Sequence, residues 1–147
     1  MICRWNWLNC SSPIISYKFR SKIGLSPKSA RKVAGSYEAE KNILTIILYD
    51  LDPKGEYLKS TWELHKDPFG GDALNAYNDG PLEDGSQMGP FYELESNSNV
   101  MLLKKNEKLI HRHSTLHFEG EKSDLNKIAK TVLGVDLKSI ENAFSLK

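Results

Sequence analysis

The chain has 147 residues, with 20 basic and 19 acidic side chains and a formal net charge of +1. That length fits one domain of roughly 100–200 residues with a real core, and 39% hydrophobic against 27% charged residues excludes a disordered polyelectrolyte. A charge near zero excludes general attraction to nucleic acid or an anionic membrane as the main theme, and no apolar run approaches the ~20 residues that span a bilayer.

Charge is uneven along the chain. Residues 1–32 hold seven basic residues and no acidic one, residues 33–100 four basic and thirteen acidic, and residues 101–147 nine basic and six acidic. The basic start carries Trp5, Trp7 and Tyr17, which would suit stacking in a nucleic-acid arm. Its lysines are spread out without a binding motif, so we read it instead as strand and loop packed near the acidic middle. Residues 1–21 form a ragged segment of uncertain structure. After Arg4, the run Trp5-Asn6-Trp7-Leu8-Asn9 has no apolar stretch of ~7–15 residues for a signal peptide. The default location is therefore cytoplasmic, or periplasmic or secreted where a longer parent carries the signal. Cys3 and Cys10 make no disulfide framework or zinc knuckle and are expected as free thiols.

Strands come first. Residues 42–50, NILTIILYD, read as a buried strand. Residues 57–65 alternate, with Leu58, Ser60, Trp62 and Leu64 on one face. Asp52-Pro53-Lys54-Gly55 between the two runs is turn chemistry, which predicts a hairpin. Residues 67–90 hold five glycines, three prolines and few apolar side chains, and read as a long loop. Within it, Asn75-Ala76-Tyr77-Asn78-Asp79-Gly80 mixes polar and aromatic groups as polar-ligand loops do. Residues 91–97 and 100–104 read as short strands, 109–119 as a long one, with a turn at Asn106.

The end is helical. Ser123 is the expected N-cap of a helix over 123–133, with Leu125, Ile128, Ala129 and Val132 on its apolar face and Gly134 as its stop. Asp136 is expected to cap a second helix over 137–144, with Leu137, Ile140 and Phe144 on one face. Strands followed by two terminal helices predict a mainly β domain.

Two groups of residues could carry chemistry. In the first, strand alternation puts His111, His113, Thr115, His117 and Glu119 on one face and turns Ile110, Leu116 and Phe118 toward the core. His111 and His113, ~7 Å apart at Cα, could share a divalent metal such as zinc or manganese in a cupin-like site. His117 lies ~13 Å beyond His113, so Glu93 or Glu95 would complete the set. The alternative is a sheet face without metal, for which no cofactor is expected. In the second group, Glu93, Glu95 and Asn97 share a face, where the two carboxylates raise one another's pKa as suits a general base. A polar sheet face whose like charges solvent keeps apart is the structural alternative.

The segments KIGLSPKSARKVAGSYEAEKNILTI, GGDALNAYNDGP, GPFYELES and HRHSTLHFEG, in that order, resemble a bacterial family assigned to the galactose mutarotase-like group. The resemblance covers roughly residues 22–144 and corresponds to the C-terminal part of longer family members. It implies a β-supersandwich, two large antiparallel sheets with a sugar-binding face, of which residues 22–147 would be a portion. In aldose epimerases of this group a Glu in a Leu-Glu-x-Gln-like context is the base, and an earlier His protonates the ring oxygen. Leu94-Glu95-Ser96-Asn97 is similar, with Asn97 in place of the Gln. Leu103-Lys104-Lys105-Asn106-Glu107 resembles the Leu-Pro-Gly-Glu turn that follows, without its Pro and Gly. The acid His has no counterpart, since His65 is the single earlier histidine and lies in another segment.

The resemblance makes Glu95 the expected base. Glu93, Asn97, His111 and His113 would line the sugar face, with Tyr77, Asn78 and Asp79 reaching it from the loop. Small carbohydrates are the expected partners, with neither nucleic acid nor a membrane span. The alternatives are the metal-binding protein and a non-catalytic partial domain that associates through exposed strand edges, with another copy or with a missing N-terminal half.

Overall fold

A computed structural model describes residues 20–60, 66–89 and 91–142. These form a mainly β structure, two three-stranded antiparallel sheets followed by two short helices. In chain order the strands are β1 (Ser21–Leu25), β2 (Val33–Glu38), β3 (Ile43–Tyr49), β4 (Leu74–Asn78), β5 (Tyr92–Ser96) and β6 (His113–Glu119). The helices are α1 (Lys122–Ile128), extended by a π-helical turn at Ala129–Leu133, and α2 (Leu137–Glu141). One sheet has the order β1-β4-β5, the other β2-β3-β6.

In the second sheet, β2 and β3 are covered on both faces. Register pairs Tyr37 with Leu44, Leu44 with Phe118, and Ile46 with Leu116, so alternate residues share a face. On that face Tyr37, Leu44 and Ile46 pack with Leu125, Ala129, Leu133, Leu137 and Ile140 of the helical end. The opposite face, with Ala34, Ile47 and Tyr49, packs on Leu74 of β4 and on Leu25 and Leu94 of its neighbours. The two layers thus form a β-sandwich-like fold with helices on one side. At Gly35 a Cβ would lie 2.6 Å from the Thr45 carbonyl oxygen and 3.0 Å from Leu133, so a bare backbone lets the π turn approach the sheet.

Several elements differ from the sequence reading. The Asp52 turn exists, with Asp52 Oδ1 accepting from the Lys54 N–H at 3.0 Å, but it opens no hairpin. The buried Tyr57 hydroxyl instead donates to the Asp52 carbonyl, and Tyr57 makes an isolated parallel bridge with Gly70. The strand partners of β3 are β2 and β6. Positions 61–65, with Trp62, Leu64 and His65, lie outside the described residues, as do Phe144 and the ragged start through residue 19.

Residues 74–78, expected within a loop, are the central strand of their sheet. The expected strand at 100–104 does not form, because Met101, Leu102 and Leu103 are exposed and no ladder receives them. The turn at Asn106 is present, at φ 73°. The long strand expected from residue 109 begins at His113, which leaves Ile110 exposed rather than in the core.

In the helical end, Glu121 rather than Ser123 occupies the N-cap. The π turn also advances the apolar face by one residue, so Leu133 is buried and Val132 is 40% exposed. Gly134 ends the turn at φ 75°, and Asp136 caps α2 by accepting from the Ser139 N–H at 2.7 Å. No helix among the described residues is long and apolar enough to cross a membrane.

Candidate functional site

The expected site residues fall into two separate places. Strand register decides this: Lys22, Tyr77 and Glu93 align across the β1-β4-β5 sheet, as do Gly24, Asn75 and Glu95. Both rows point away from the other sheet, because the alternate residues Leu25, Leu74 and Leu94 form the inter-sheet core. The outward face therefore carries Tyr77, Glu93 and Glu95 of the expected residues, together with Asp79 and Asn97 just past the strand ends. Asn78 lies on the inward face and is buried.

The outward face is a charge network. The Lys22 ammonium lies 3.0 Å from Glu95 Oε2, with the two side chains 19% and 37% exposed. Partial burial and then the adjacent Glu95 carboxylate push the Glu93 carboxyl above the usual range, as expected for carboxylates at alternate positions. Asp72 fills the space left by the missing side chain of Gly24, and its burial raises its carboxyl against the pull of Lys59 and Lys22. Asn75 is 1% exposed, and neither end of its amide has a hydrogen-bond partner. An amide can donate two hydrogen bonds and accept two, so Asn75 is an unmet polar group next to Glu95.

One end of this face is closed by Asp79, which is fully engaged. Its Oδ1 accepts from the Tyr77 hydroxyl at 2.6 Å and from Arg20 at 2.9 Å, and its Oδ2 accepts from the Gly89 N–H at 2.9 Å. These donors, Tyr77 first, hold its carboxyl below the usual range despite burial. The Gln87 amide donates to the Asp79 carbonyl at 2.8 Å, and Tyr77 meets Phe91 with ring centroids 6.1 Å apart. Asp79 thus anchors the 80–89 loop and β1 to β4. Asn97 is also occupied, its amide donating to the Asp72 carbonyl at 2.7 Å. Of the basic start, Arg20 and Lys22 pair with the acidic Asp79 and Glu95.

The histidines lie on the other side of β5. The Ser96 hydroxyl is 2.9 Å from His111 Nε2 and 2.7 Å from His113 Nδ1. A hydroxyl has one hydrogen, so it donates to one ring and accepts from the other. His113 Nε2 also meets Thr115 Oγ1 at 3.2 Å, and His117 Nδ1 meets Thr45 Oγ1 at 3.0 Å. Partial desolvation and then neighbouring His111 lower the His113 pKa. Alternation along β5 turns Glu93 and Glu95 away from Ser96, so the structure does not bring Glu93 to the histidine pair. Among the described residues no group of three or more histidine, cysteine or carboxylate ligands assembles for a metal.

Sequence reasoning passed over Asp72, Asn75 and Lys22 as site residues. Asn75 and Lys22 become legible only once β1 and β4 are paired, and Asp72 lies just before β4, where that pairing brings it against Gly24.

Residues 15–144 match the model of a family described as a family of unknown function (DUF6786). The chain belongs to that family. No curated protein and no solved structure matches it.

Proposed function

We propose that the outward face of the β1-β4-β5 sheet recognises a carbohydrate, with Glu95 as the residue that takes up a hydroxyl proton. The observation that carries this reading is the Glu93–Glu95 pair beside Lys22 and the unmet Asn75 amide. Sugar hydroxyls are both donors and acceptors, and the face offers acceptors, a cation and an amide within one patch. The base role falls to Glu95, whose Oε2 lies 3.0 Å from the Lys22 ammonium. Tyr77 and Asp79 act as the scaffold, and Asn97 holds the Asp72 backbone just before β4.

The resemblance of Leu94-Glu95-Ser96-Asn97 to the base segment of aldose epimerases supports the same assignment. An acid partner is not supplied by His111 or His113, which meet Ser96 on the opposite side of β5. The chemistry this face supports by itself is recognition with proton removal from a hydroxyl.

Thermal unfolding with a panel of simple sugars tests the proposal. A sugar held at ~100 times its Kd raises stability by about 2.7 kcal/mol. Glu95→Gln should abolish anomer exchange, read by NMR, while leaving the fold intact. A melt unmoved by every sugar would remove the binding reading, and unchanged exchange in Glu95→Gln would remove Glu95 from the chemistry.

A further inference from the structure

β6 has one ladder made and, among the described residues, one edge open. The Asp50 N–H donates to the Arg112 carbonyl at 3.0 Å, which sets the phase of the β3–β6 ladder. Backbone groups of Arg112, Ser114, Leu116 and Phe118 therefore face β3. Those of His113, Thr115, His117 and Glu119 face outward, and no strand among the described residues receives them. All seven residues of β6 except Phe118 are exposed. A row of unpaired donors and acceptors on a strand of this length is a template for another strand.

Two further observations say which strand. Charge changes sign along the segment: Lys104, Lys105, Lys108 and Arg112 against Glu107 precede β6, whereas Glu119, Glu121 and Asp124 against Lys122 end and follow it. Such a gradient is complementary to itself when reversed. Its outward-facing residues are also all odd-numbered, so an antiparallel copy can align about Leu116 with every outward group opposite another outward group.

We infer that β6 pairs with β6 of a second copy of this chain across a two-fold axis at Leu116. In that register Thr115 lies opposite the partner's His117, and His113 opposite the partner's Glu119. Beyond the strand, His111 comes opposite the partner's Glu121. On the helix side, Leu116 meets the partner's Leu116, covering a residue 37% exposed, with the 43%-exposed Leu48 diagonal to it across the β3 ladder. The interface is isologous, so it closes as a dimer, and the six strands of the two joined sheets become continuous. This inference is independent of the sugar-binding reading.

Sedimentation velocity on the full chain from about 1 to about 100 µM, the range of micromolar affinities, tests it. The expected result is a reversible dimer. Thr115→Pro removes one outward N–H and leaves the β3 ladder alone, and should abolish the dimer. Glu119→Lys adds a cation at the end of the strand that meets the partner's basic end, close to the partner's Arg112, and should weaken the dimer by about tenfold, less so at high salt. Should Thr115→Pro fail to fold by circular dichroism, Glu119→Lys decides. A monomer throughout the range, assemblies larger than a dimer, or a dimer that tolerates every folded variant would overturn the inference.

Discussion

β3 and β4 are both central strands, and both are almost wholly removed from solvent, yet they reach that state by different means. β3, ILTIILY, is covered by helices on one face and by the other sheet on its second face, so nearly every position is apolar. β4, LNAYN, has an apolar neighbour layer on one face alone. Its outward residues Asn75 and Tyr77 are buried among polar and charged groups, which satisfy Tyr77 through Asp79 and leave Asn75 unmet. Burial by itself therefore does not indicate hydrophobicity. Where a sheet face is held by paired charges, an incompletely satisfied residue marks the place to look for a ligand.

The largest expected effect would sharpen the apolar side of the contrast. Ile46→Ala deletes a 1%-exposed side chain at the centre of the helix-facing core, and should cost roughly 2–5 kcal/mol in denaturant unfolding. A loss below about 1 kcal/mol would mean that the helices do not depend on β3 for their packing.

On the polar side, Tyr77→Phe removes the shortest donor to Asp79 and should cost about 1.5–3 kcal/mol, because a buried carboxylate loses a charged hydrogen bond. It should also change the acid limb of the stability curve. Asp79 in the folded protein titrates below its ordinary 3.8, so its contribution is complete above that value and is lost as pH falls through the lower folded value. Tyr77→Phe raises the folded value toward 3.8 and should flatten the stability–pH slope below it. An unchanged slope would show that Arg20 and the Gly89 N–H suffice.

Gly35→Ala tests how closely the helical end approaches β2. The added methyl would sit 2.6 Å from a backbone oxygen that cannot swing aside, so a loss of about 1–3 kcal/mol is expected by calorimetry. A neutral result would mean that β3 shifts to admit the methyl and the π turn gives way with it.

The smallest effect has the opposite sign. Asn75→Leu replaces an unpartnered buried amide by an apolar group of similar size, and should stabilise the free protein by up to about 1 kcal/mol. The same variant should lose any stabilisation by sugar. A destabilised variant would break the contrast by showing that the amide has a partner after all.

Much of the apolar side was legible in the sequence. The run 42–50 announced β3 through Ile and Leu content, and Leu125, Ala129, Leu137 and Ile140 announced the helical faces through their spacing. Local signals misled where a neighbouring segment decided the outcome. Asp52 and Gly55 do turn the chain, but the next strand of the ladder comes from residues 113–119. The alternation of β4 was hidden because Asn75, Tyr77, Asn78 and Asp79 look like loop residues until β1 and β5 pair with the segment and Arg20 and Gly89 engage Asp79. The Glu93–Glu95 pair was legible, since strand alternation alone puts both on one face. Its separation from His111 and His113 was not, because that depends on which side of β5 each neighbouring segment takes.

The sequence by itself determined the class of the fold, the central apolar strand, the helical end with its Asp136 cap and Gly134 stop, and the carboxylate pair. Each is a matter of residue spacing within one element, where periodicity and capping act over a few positions. Tertiary structure decided that β4 is a buried strand, that Asp79 is an anchor, that Asn75 is left unmet, and that the histidines meet Ser96 away from Glu95. These outcomes rest on contacts between segments distant in sequence, where strand register selects the face each side chain joins.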